Sequence, residues 1–151
     1  MSNYFALFGI EPIFDISLDE LEKRYIDLSK IDINEKQSQN MRNINKAYQV
    51  LKSPLRRAEH LLDLFHIKND YKNQQNNDKF LIEIGGEYLS LHENLQFASK
   101  IINKKIEFCV KNLINAFAIK NFNEAIIQVS RLRYLYKLFE EIKKNVTNSN
   151  F

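Results

Sequence analysis

Three glycines and two prolines in 151 residues constrain this chain more than any other feature. They amount to about 3% of the sequence, where an average globular chain carries near 12%. Hairpin turns and the repeated chain reversals of sandwiches and barrels depend on these two residues. Gly9, Gly85 and Gly86 also lie too far apart, or too few together, to form a glycine-rich phosphate loop. The fold class left is all-α. Hydrophobic residues at 44% and charged residues at 27% provide a core and a solvated surface, enough for one domain or for two small ones sharing an interface.

Apolar spacing then predicts where the helices lie. Tyr4, Phe5, Leu7 and Phe8 form a short helix over 4–10, stopped by Gly9. Ser17-Leu-Asp-Glu20 is a capping box opening a second helix to about Lys30, with Leu18, Leu21, Tyr25 and Leu28 on its inner face. A third helix over 36–52 places Met41, Ile44, Tyr48 and Leu51 together, and Ser53-Pro54 opens a fourth through Ile67. Residues 69–78 have Tyr71 as their only sizeable apolar side chain and read as a linker. Beyond it come a shorter helix over 79–94 and two long antiparallel ones turning near Lys120–Asn123. Their stripes are Ile102, Ile106, Cys109, Leu113 and Phe117, and Leu132, Leu135, Phe139, Ile142 and Val146. The expected organisation is a small helical domain over 1–68, a linker over 69–78, and a three-helix bundle over 79–151.

Little in the chain points to catalysis. His60, His66 and His92 have no metal-ligand spacing, and His60 and His66 read as ordinary surface histidines. Cys109 falls in an apolar stripe, as a buried structural thiol does. The expectation is a non-enzyme with no cofactor and no metal. A single cysteine, no signal-like N-terminus and no long apolar run predict a soluble cytoplasmic protein without a membrane span. The net charge of +3 is mild for a nucleic-acid binder, which ranks as the least favoured class. Lys23, Arg24 and Lys30 on the second helix are either a solvated face or a basic stripe for an acidic protein partner. Arg131, Arg133, Lys137, Lys143 and Lys144 make the last helix basic as well, diluted by Glu140 and Glu141.

Three segments carry a more specific resemblance. Tyr4-Phe-Ala-Leu-Phe-Gly-Ile10 resembles the opening of the HscB family of iron–sulfur cluster co-chaperones. The stretch from Ile44 to Leu62, INKAYQVLKSPLRRAEHLL, is similar to that family's third-to-fourth-helix segment nearly residue by residue. Arg131-Leu-Arg-Tyr-Leu-Tyr-Lys-Leu138 resembles its last helix. The blocks occur in family order over almost the whole chain. The resemblance implies an N-terminal J-domain and a C-terminal three-helix bundle arranged as an L. It further implies that the J-domain stimulates an HscA-type chaperone ATPase, and that the bundle binds an IscU-type scaffold protein.

The chain departs from the family at both implied sites. J-domains carry His-Pro-Asp between their second and third helices, and no such tripeptide occurs here. Aligned without a gap, Ile33, Asn34 and Glu35 take its place, followed by Lys36, and none restores the histidine or the rigid proline turn. The residues implied for chaperone binding are Lys23, Arg24, Lys30, Ile33, Asn34 and Glu35, with ATPase stimulation expected to be weak. Those implied for scaffold binding are Leu81, Gly85 and Tyr134, with Gly85 where the family has a contact leucine. The alternative function is a degenerate J-like adaptor that binds a scaffold without stimulating a chaperone.

Overall fold

The computed structural model describes residues 2–31, 38–68, 78–91 and 94–149. Every regular element among them is α-helical, and the chain divides into two compact units, residues 1–68 and 69–151.

The first unit holds α1 (Tyr4–Leu7), α2 (Leu18–Ile31), α3 (Ser38–Lys52) and α4 (Pro54–Leu64). The starts of α1, α2 and α4 each have a sequence-encoded acceptor. The Asn3 side chain accepts from the Ala6 N–H, Ser17 Oγ from Glu20 and Ser53 Oγ from Arg56, which satisfies donors the helix itself leaves unpaired. The core is Phe5, Phe8 and Phe14 packed with Leu21, Ile44, Leu51, Leu61 and Leu62, all buried. Leu18, expected on the inner face of α2, is instead half-exposed, because it sits in the first turn beyond the reach of that core. Arg57 is buried too. Its Nη1 donates to the Leu51 carbonyl at 2.8 Å, and its guanidinium lies 4.7 Å over the Phe14 ring.

The second unit holds α5 (Lys79–Leu91), α6 (Leu95–Ala118) and α7 (Phe122–Ser149). α6 and α7 pair along their length, and α5 lies against both over a shorter stretch. Ile102, Cys109, Leu113 and Ala116 of α6 meet Ala125, Val129, Leu132, Leu135 and Ile142 of α7 in the core. Ile106 and Phe117 are only half-buried. The expected Phe139 is also half-buried, and Leu138 takes the inward place, since a straight helix at 3.6 residues per turn drifts off a strict heptad. The side chain of Val146 and residues 69–77 of the expected linker lie outside the described residues.

Three helices end in the same way. Gly9, His66 and Lys120 all adopt positive φ, at 65°, 58° and 58°. The next N–H then reaches back to a carbonyl in the last turn: Ile10 to Phe5, Ile67 to Leu62, and Asn121 to Ala116, at 3.0, 2.9 and 2.8 Å. This is the Schellman arrangement, usually made with glycine at the left-handed position. Only one of the three has a glycine. α4 therefore stops at Leu64 rather than Ile67, at a histidine that gives no sequence signal of a stop.

Candidate functional site

The basic residues of α2 do not act together. Arg24 Nη1 donates to the Phe8 carbonyl at 3.0 Å and to the Gly9 carbonyl at 3.4 Å, while Nη2 and Nε donate to Glu20 Oε1 at 2.9 and 3.2 Å. The guanidinium thus holds the end of α1 against α2, a positioning duty inside the unit. Lys23 and Lys30 remain exposed. They share the helix with Asp19, Glu20, Glu22 and Asp27, so α2 presents mixed charge rather than a basic stripe. Ile33, Asn34 and Glu35 lie outside the described residues.

His60 corrects the sequence reading. It is not on the surface: it retains 7% exposure, its Nε2 accepts the Tyr4 N–H at 3.2 Å, and its ring stacks on Tyr4 and Phe5 at 4.6 and 5.7 Å. Burial holds its pKa below the ordinary 6.5, and the nearby Asp63 charge only partly opposes this. No periodicity argument could find it, because its partner is 56 residues away. His92 lies outside the described residues, and His66 is an exposed helix end. Cys109 is fully buried, and burial raises its thiol pKa to about 11, which leaves it unreactive. Among the described residues no three His, Cys, Asp or Glu side chains gather as a metal site, and no helix is long and apolar enough to cross a membrane.

The face of α5 beside α7 is better defined. Asp78 fixes its start: Oδ1 accepts the Phe80 N–H at 3.0 Å, while Oδ2 and Oδ1 accept from Arg131 Nε and Nη2 of α7 at 2.8 and 3.2 Å. The Arg131 guanidinium also lies 4.5 Å over the Phe80 ring, and Lys105 of α6 pairs with Glu87 at 3.6 Å. With α5 so oriented, Leu81 and Ile84 turn inward. Leu81 keeps 4% exposure, so it packs in the core of the unit. The run Phe80-Leu81-Ile82 cannot place all three side chains inward on a helix. Ile82 is the one left out, 63% exposed, and it is not among the residues that the sequence resemblance implied for scaffold binding.

Gly85 lies one turn beyond Ile82. A Cβ added there would meet the Tyr134 hydroxyl at 3.1 Å, so the space where the family's leucine would stand is taken by Tyr134. Nothing lies within 4 Å of the corresponding position at Gly86. Half-buried Tyr134 thus reaches from α7 across Gly85, and exposed Ile82 lies one helical turn from that glycine on α5. The arrangement can bind an apolar protein surface; it holds no group set for proton transfer or nucleophilic attack.

Comparison with known proteins bears on this geometry. The family model for the HSCB C-terminal oligomerisation domain matches residues 87–143. The chain is 33% identical over 165 residues to a co-chaperone protein HscB homolog of Neisseria meningitidis serogroup A, covering 94% of this chain and 98% of the relative. It is 27% identical to the homolog of Pseudoalteromonas atlantica, over 93% of this chain and 94% of the relative. Among solved structures, chaperone HscB from Vibrio cholerae matches with a TM-score of 0.82 at 26% identity, covering 99% of this chain and 100% of the other. Human co-chaperone protein HscB matches with a TM-score of 0.84 at 25% identity, over 96% and 82%.

Proposed function

The chain belongs to the HscB co-chaperone family, and from that premise we propose that it serves iron–sulfur cluster assembly by holding an IscU-type scaffold on the α5–α7 face. The observation supporting this is the exposed Ile82 one helical turn from Gly85, over which Tyr134 reaches from α7. Tyrosine combines a large apolar ring with a hydroxyl that can stay hydrated, and binding energy concentrates in a few such anchors. Leu81 contributes by holding α5 in place rather than by contact. In the same reading the 1–68 unit meets an HscA-type chaperone ATPase through Lys23 and Lys30 of α2, with Ile33, Asn34 and Glu35 following. Stimulation is weak, because the sequence has no His-Pro-Asp turn and exposed lysines mainly raise the encounter rate.

Calorimetric titration of an IscU-type scaffold into the full chain tests the reading. Ile82→Glu and Tyr134→Ala should each weaken binding more than tenfold with circular dichroism unchanged. Binding equal to the parent in both variants would remove the assigned face. A second reading, an adaptor that binds the scaffold without stimulating any chaperone, is favoured by the missing tripeptide. Single-turnover ATP hydrolysis by the matching HscA-type chaperone, with and without this protein, separates the two.

A further inference from the structure

α6 carries a second exposed face that the scaffold reading does not use. Phe97, Phe108 and Ile119 are 50%, 55% and 67% exposed. They are spaced by eleven residues, three turns plus about 20°, so they form one line along the helix and its C-cap. The line is ~33 Å long, with about 16 Å between neighbours. Lys100, Lys104 and Lys111, all exposed, lie within about 60° of it and on the same flank. The helix holds four lysines and one glutamate, a surplus of three that equals the net charge of the whole chain. Glu107, the one acidic residue, is exposed and sits about 80° round from Phe97 on the same flank as the lysines, so the flank carries three lysines and one carboxylate. Lys105, the fourth lysine, is turned to Glu87 of α5.

We propose that this face of α6 is a docking surface for an acidic amphipathic helix of another protein. An apolar line flanked on one side by lysines is met by a helix that sets apolar side chains against the line and carboxylates against the lysine row. Other occupants fit less well. A second copy of the chain would bring the same three lysines and only the single Glu107 carboxylate to meet them. A membrane surface favours a continuous wide apolar face, not single side chains about 16 Å apart. Single-stranded nucleic acid needs aromatic rings close enough for successive bases to stack, and these rings are too far apart.

The test uses the full chain and a fluorescent synthetic helical peptide of about 24 residues, long enough to span the line, with leucines on one face and glutamates along one flank. Anisotropy should report saturable binding that weakens with salt. Phe108→Ser, Phe97→Ser and Lys104→Glu should each weaken it at least tenfold. All three residues are exposed, so the helical content of the variants should match the parent; two independent apolar variants guard against one that misfolds. The IscU-type scaffold should bind these variants as it binds the parent, which separates this face from the α5–α7 face. The proposal is overturned if the peptide does not bind, or binds the variants equally. It is also overturned if phosphatidylserine vesicles or an oligothymidine bind more tightly than the peptide, or if the parent sediments as a dimer that Phe108→Ser makes monomeric.

Discussion

Replacing Asp78 should loosen α5 more than any other single surface change in the C-terminal unit. Its carboxylate accepts three hydrogen bonds, one from the Phe80 N–H and two from Arg131, and its side chain is only 12% exposed, that of Arg131 23%. Losing a helix cap costs about 1 kcal/mol. Losing a hydrogen-bonded partner of a charged group costs roughly 1.5–3 kcal/mol, more as burial increases. The Arg131 bonds share one carboxylate and are not additive, so Asp78→Ala should destabilise by about 3 kcal/mol. Asp78→Asn keeps the cap and one bond to Arg131, and should lose about half as much. The assay is urea denaturation of the full chain followed by circular dichroism, with an unchanged slope confirming that stability alone is altered. Equal losses in the two variants would show that the ion pair dominates and the cap does little. A loss below about 0.5 kcal/mol in Asp78→Ala would refute the reasoning outright.

Arg24→Ala should destabilise the N-terminal unit by about 1 kcal/mol, because the Phe8 and Gly9 carbonyls lose their donor in a part-exposed setting; thermal denaturation reads this without any chaperone present. His60 has its folded pKa below the unfolded value, so the unfolded chain binds more protons as pH falls past 6.5. Its stabilising contribution is therefore complete above that pH and is lost as pH drops through the lowered folded value. Urea midpoints measured from pH 7 downward should fall less steeply in His60→Gln than in the parent. Gly85→Leu should push Tyr134 off α5 at a cost of about 1–3 kcal/mol from overpacking, and should weaken scaffold binding; tighter binding in a titration would show that the tyrosine is not the anchor.

The scarcity of glycine and proline, the helical apolar spacing and the capping residues settled much of this protein without tertiary information. Ser17, Ser53 and Asn121 start helices as their residue types dictate, since a side-chain acceptor satisfies backbone donors only two or three residues ahead. The blocks from Tyr4, from Ile44 and from Arg131 likewise carry the family within the sequence. What tertiary structure decided involves residues far apart in the chain. His60 is buried because Tyr4 and Phe5 cover it, Arg24 is a clamp because Gly9 passes beneath it, and Gly85 is filled because Tyr134 crosses it from α7. Periodicity tells which face of a helix is apolar; it does not say which neighbour covers that face. Leu81 and Ile82 are adjacent apolar residues of the same helix, and only the orientation fixed by Asp78 and Arg131 buries the first and leaves the second in water.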